Sequence, residues 1–174
     1  GRDLSGANLE DANLSGSNLK GSKLPNRLIC TKLIRCQIDQ KDFTAHDLSE
    51  VILADTDLRG VKLPLDLHAA DLNGCDLSGQ DLSQHDLSAA NLHKAKLQEC
   101  KLPLKLPKAN LSGCDLSKHD LSQHDISEAN LSDAELKECQ LPNDIATVNK
   151  TIWKARTLPP ELETVFDITV FVLC

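Results

Sequence analysis

Histidine and cysteine are the residues in this 174-residue chain best suited to hold a metal, move a proton or form a covalent bond. Both recur at a fixed interval. His46, His85 and His124 lie 39 residues apart, and so do Cys36, Cys75 and Cys114, and also Cys100 and Cys139. A metal would need several of these nitrogens about 2.1 Å from one ion. Nucleophilic catalysis would need one serine or cysteine singled out beside one base. Serine is abundant, but it recurs with the same period as the histidines, so no unique triad stands out. There is no Gly-rich phosphate loop, no CxxC and no HExxH. The expectation is that no residue is catalytic, none ligates a metal and none binds a cofactor. The partner-binding residues stay unassigned.

The elements that carry these residues follow from the apolar pattern. An apolar residue returns at 4, 9, 14, 19 and 24, then from 28 to 63, 67 to 102 and 106 to 141 in steps of five, then at 145. All are Leu except Ile38, Phe43, Ile126 and Ile145. A period of five fits neither a helix (3.6) nor a plain strand (2). It suits a short extended segment followed by a corner, four of which would close a coil with each leucine pointing inward. Two positions before the leucine stands mostly a small residue, such as Ala7, Ala12, Ala70, Cys75, Ala90 or Ala109. A narrow interior has room for one large side chain per side. Asp or Asn commonly precedes the leucine, and Ser and Gly follow it, as turns require.

The written form, A-(D/N)-L-S-x, appears as ANLED, ANLSG and ANLSD. This pattern resembles the pentapeptide-repeat family over about residues 2–145. The resemblance implies an all-β solenoid, a right-handed quadrilateral β-helix of about seven to eight coils. Coils would stack about 4.8 Å apart and make a rod roughly 35 Å long.

The step shortens to four residues at Leu24–Leu28, Leu63–Leu67, Leu102–Leu106 and Leu141–Ile145, each time with proline after the first residue. These LP sites are 39 residues apart, so the unit is a double coil. Segments 63–101 and 102–140 match at about 25 of 39 positions, consistent with internal duplication. Pro25, Pro64, Pro103 and Pro142 fall where the alternate coils hold Ser5, Thr44, Ser83 and Ser122. Proline has no N–H to donate and belongs at an irregular corner, not in a ladder.

Stacking then fixes columns. His46, His85 and His124 share one, with Leu65 and Leu104 expected inward between them. Lys41, Gln80 and His119 form a neighbouring column that alternates with Val61, Cys100 and Cys139. Ladder histidines two coils apart would be about 9.6 Å from one another, too far to share an ion. The same spacing keeps the cysteine columns from bridging, since a disulfide needs Cα atoms within about 7 Å. Buried, unbridged cysteines suit a reducing, cytoplasmic compartment. Cys30 at a corner and Cys174 at the end of the chain are the two thiols left for chemistry. Asp3, Lys23, Asp42, Lys62, Asp81, Lys101 and Asp120 alternate in sign down one side and read as register-fixing pairs.

Composition bounds the rest. Three Phe, one Trp, no Tyr and no Met mean a core of one small apolar residue repeated. A net charge of −7 and a pI near 5.3 disfavour phosphate binding, so no nucleic-acid partner is expected. No apolar run reaches the roughly 20 residues of a membrane helix, and no insertion is expected. Residues 1–145 form the repeat domain. Residues 146–174, with Trp153, Phe166 and Phe171, read as a mixed helix/strand cap or junction, and as a surface for dimerisation. Gly1 at the start, without a comparable cap, suggests a piece of something longer. The function expected is a non-enzymatic protein-binding scaffold. The pattern is similar to the amino-terminal β-helix of bacterial secreted effectors, including HECT-like ubiquitin ligases, which implies delivery into a host cell and engagement of proteins there. The alternative implied by the family is a DNA mimic that binds type II topoisomerases such as gyrase.

Overall fold

The computed structural model describes residues 1–38 and 40–142. The boundary at Ile145, the cap at 146–174 and Cys174 lie outside the described residues. Within them the backbone pairs with itself one turn further on, always in parallel. Asp3 pairs with Lys23, Arg27 with Asp47, Asp66 with Asp86 and Lys105 with Asp125, each 20 residues on. Asn13 pairs with Lys32, Ile52 with Asp71 and Asn91 with Asn110, each 19 residues on. The shorter pairings are those that cross an LP site. The missing residue is therefore absorbed at that corner, and the pairing of every other side is left in register.

The molecule is a β-solenoid with four apolar rows per turn. The first side carries Leu4, Leu24, Phe43, Leu63, Leu82, Leu102, Leu121 and Leu141; the second runs from Leu9 to Ile126, the third from Leu14 to Leu131 and the fourth from Leu19 to Leu136. Leu72, Leu92, Leu111 and Leu131 are wholly buried, as are Ala70, Ala90 and Ala109 beside them. A buried leucine contributes about 1.5–3 kcal/mol over an exposed one, so the stack of rows is the main source of stability. Leu4, Leu9 and Leu14 are only partly buried, because their coil has a neighbour on one face.

Corners explain the rest of the repeat. The residue before the leucine caps the turn: Asp47 Oδ1 accepts the Ser49 N–H at 3.0 Å and the Ser49 hydroxyl at 2.6 Å. Asp42 does the same for Thr44, and Asp3 for Ser5. Three corners of each turn then place the second residue after the leucine in the left-handed region. Gly16, Gly60 and Gly113 do so with φ near 70°, but so do Ala89 at 57° and Glu99 at 57°. Such backbone costs about 1–2 kcal/mol without glycine. Two bonds offset it: the Ala89 N–H reaches Pro107 O in the next coil at 2.9 Å, and the Ala90 N–H closes the turn on Leu87 O at 3.0 Å.

Candidate functional site

The corner between the first and second sides differs from the other three in every turn. Its residues Ala45, Gln84 and Gln123 lack the positive φ found at the equivalent place elsewhere. In the five-residue version the turn is closed by His46 N–H on Phe43 O, His85 on Leu82 O and His124 on Leu121 O, at 2.8 to 2.9 Å. In the four-residue version Pro25, Pro64 and Pro103 are buried. The proline ring takes the inward place.

This corrects one expectation. Leu65 and Leu104 point outward, at 63% and 60% exposure, and are the exposed large hydrophobics among the described residues. The Leu65 carbonyl still accepts from Asp86 N–H at 2.8 Å, and Leu104 from Asp125 at 2.7 Å. The backbone keeps its ladder while the contraction swings the side chain out. The column therefore alternates proline with histidine instead of leucine with histidine.

His46, His85 and His124 are half-buried, and each has a fully buried Nδ1 with no hydrogen-bond partner. The His46 ring stands edge-on to Phe43, with centroids 5.2 Å apart. Burial is the largest influence on His46 and pulls its pKa below the usual histidine value; nearby Lys41 adds to this, while Asp42 and the Leu24 backbone oppose it. Burial does the same at His124, against the Leu102 backbone and Asp120.

The neighbouring column plugs the fourth corner with donors. Lys41 Nζ reaches the carbonyls of Leu19 and Ser22 at 2.9 and 2.6 Å, and burial pulls its pKa down. Gln80 Nε2 reaches Leu58 and Val61 at 2.6 and 2.8 Å. Half-buried His119 holds the third place. Cysteines act likewise on the fourth side: Cys36, Cys75 and Cys114 donate to the carbonyls of Leu14, Leu53 and Leu92 at 3.0 to 3.1 Å. Burial pushes the thiols of Cys75, Cys100, Cys114 and Cys139 up to about 12. Thiols so hard to ionise are poor nucleophiles. Cys30 is partly exposed, and its thiol is raised as well, by burial and then by Glu50. All six described cysteines are free.

The charge ladder forms ion pairs on the first side, Lys23–Asp3 at 3.4 Å, Lys62–Asp42 at 3.0 Å and Lys101–Asp81 at 2.8 Å. Asp42 and Asp81 are held at about 2, Asp42 chiefly by the Thr44 hydroxyl and Asp81 chiefly by Lys101. On the second side Asp47, Asp66 and Asp86 follow one another without a cation between them, and Arg27 and Lys105 bound the run. No three His, Cys, Asp or Glu side chains converge as a metal site among the described residues. No described helix is long and apolar enough to cross a membrane.

Cys36, Cys75 and Cys114 thus serve as carbonyl donors and His46, His85 and His124 fill the first corner, all within a repeat solenoid. The chain belongs to the pentapeptide-repeat family. Its model, "Pentapeptide repeats", matches in 8 copies over residues 1–26, 66–103 and 106–142. Between them the bridges Arg27↔Asp47, Lys32↔Ile52 and Asp42↔Lys62 continue the coil where the match lapses. No curated protein matches. Among solved structures the chain is similar to HetL, a pentapeptide repeat protein involved in heterocyst differentiation regulation from the cyanobacterium Nostoc. The identity is 32%, over 81% of this chain and 62% of that one, with a TM-score of 0.42. The chain therefore spans less than two thirds of HetL. It is also similar to QnrB1, a plasmid-mediated fluoroquinolone resistance protein, at 18% identity over 100% of this chain and 93% of that one, TM-score 0.37. A pentapeptide repeat protein of the Arabidopsis thaliana thylakoid lumen matches at 20% over 75% and 72%, TM-score 0.29.

Proposed function

We propose that the chain is a non-enzymatic protein-interaction scaffold: a right-handed, four-sided rod of seven to eight coils that recognises a protein partner through its surface. The observation that carries this reading is the pair Leu65 and Leu104. They alone among the described large hydrophobics stand in solvent, in one column and two coils apart. The leucines of the inward rows are spent on the core, and Ile29, Ile34 and Ile52 are partly covered. A rigid surface bearing two apolar contacts about 9.6 Å apart suits a protein partner better than a nucleic acid. The reading includes a reducing cytoplasm as the site of action, reached by delivery into a host cell if the chain is part of a secreted effector, and no cofactor. The test is capture of partners by the purified chain beside Leu65→Ser/Leu104→Ser. A partner kept by the parent and lost by the variant, at unchanged melting temperature, supports the proposal. Identical capture by both removes these leucines from it.

The run Asp47, Asp66, Asp86 favours a second reading, a polyanion mimic that binds a DNA-handling enzyme such as gyrase. Arg27 and Lys105 end that run at three residues, and the first side is neutralised by its ion pairs. The chain is therefore expected not to inhibit gyrase supercoiling at micromolar concentration. Inhibition would promote this second reading.

A further inference from the structure

The corner that departs from the repeat is also the place where polar atoms are left without partners. His46 and His124 each turn Nδ1 into the interior, and no donor or acceptor meets it. The Leu24 backbone in the coil beneath meets the ring of His46, and the Leu102 backbone meets that of His124; with Nδ1 unpartnered, Nε2 is the nitrogen left to donate to it. A carbonyl accepts, so the proton of the neutral ring sits on Nε2. Nδ1 then holds a lone pair in an apolar setting. A proton added there would create a buried cation with one N–H aimed at nothing, which the interior strongly disfavours. Swinging the ring out to water removes the penalty. The turn around it is the one corner that lacks the left-handed residue and is closed by a single backbone–backbone bond, His46 N–H to Phe43 O or His124 N–H to Leu121 O, beside the aspartate caps on Thr44 and Ser122.

We infer that this corner is an acid-operated hinge: proton uptake at the inward Nδ1 of His46 and His124 expels the rings and opens the first corner, while the other three corners stay closed. The charged neighbours agree with this. His46 is faced by Lys41, which opposes a second positive charge, and by Asp42, which is already engaged with Thr44 and Lys62. His124 is faced by Asp120, engaged with the Ser122 N–H, and by His119, a further base beside it. By register the coils above and below present proline at this level, so they bring no charge to stabilise the imidazolium. The sign follows. A base held neutral by folding leaves the closed corner at full stability above its unfolded value near 6.5, and that stability is lost as pH falls below it. His85 shares the corner and the unpartnered nitrogen.

The test is nitrogen-15 NMR of the imidazoles together with amide exchange on the full chain. At pH 7.5 both rings should show an unprotonated Nδ1 and a protonated Nε2. Both should titrate below 6.5, and the His46 and His124 amides should lose protection over the same range, after correction for intrinsic exchange. In His46→Gln/His124→Gln that loss should vanish; Gln80 already shows that glutamine can serve carbonyls from an inward place. Titration at or above 6.5, or amide protection that ignores the titration, overturns the hinge. So does a double variant that opens as the parent does. If the variant does not fold, the parent's titration and exchange decide alone.

Discussion

At the scale of the residue, the repeat turns reactive groups into structural ones. Cys36, Cys75 and Cys114 each donate to a leucine carbonyl one coil below, as Thr31 and Thr56 do with Leu9 and Leu33 at 2.8 and 2.9 Å. The native thiols Cys75, Cys100, Cys114 and Cys139 should therefore resist alkylation at pH 8 and react at once in denaturant. Mass mapping would check this, and rapid native labelling would contradict their burial. The aspartates before leucine are caps as well as charges. Replacing Lys101 by Gln should raise Asp81 from about 2 toward 3.8, measured by carboxyl NMR. An acid with a depressed folded value lends stability above 3.8 and loses it as pH falls toward 2, so this replacement should narrow the acid-labile range. Leu111→Ala removes a wholly buried side chain in mid-rod and should cost about 2–5 kcal/mol in denaturant unfolding.

At the scale of the element, what was legible in the sequence followed the leucine. The five-residue step gave the inward rows, the alternating Asp and Lys gave the ion pairs, and proline gave the irregular corner. Two features were hidden. Counting back two places from Leu67 and Leu106 put Leu65 and Leu104 inside, because the count ignored that a proline ring can fill the place and turn its neighbour out. Nor did composition reveal that Ala69, Ala89 or Lys94 adopts positive φ, since the signal for that backbone is glycine and the bonds that force it come from the adjacent coil. A gain is expected from correcting this strain. Ala89→Gly should stabilise the rod by up to about 1 kcal/mol, the relief of left-handed strain less the added freedom of the unfolded chain. Gly74→Ala should do the opposite. Its φ is +66°, and the new Cβ would displace the Asp55 carboxylate that holds Arg35. Thermal melts of the two variants should move in opposite directions.

At the scale of the whole molecule, stability in a solenoid is a sum of coils and of interfaces between neighbouring coils. From Leu24 onward the interfaces are of one alternating kind, a proline coil against a histidine coil, with Lys62 over Asp42 and Lys101 over Asp81. The unit that can be removed cleanly is therefore the double coil. Deleting residues 63–101 joins Lys62 to Leu102. The proline of Pro103 then stacks where Pro64 stood, and Lys62 keeps Asp42. Deleting residues 63–81 removes one coil and joins Lys62 to Leu82. The leucine rows stay in register, but His46 now lies directly against His85, and Lys62 against Lys101. Two five-residue corners meet with both inward places filled by imidazole, and like charges stand at one strand spacing, about 4.8 Å. A count of coils alone says that the single deletion, the longer rod, should be the more stable. The alternation says the reverse: the double deletion should melt higher than the single one and keep the parent's circular dichroism per residue. If the single deletion melts as high as the double deletion or higher, the coils are interchangeable, and the paired corner is a relic of duplication without energetic weight.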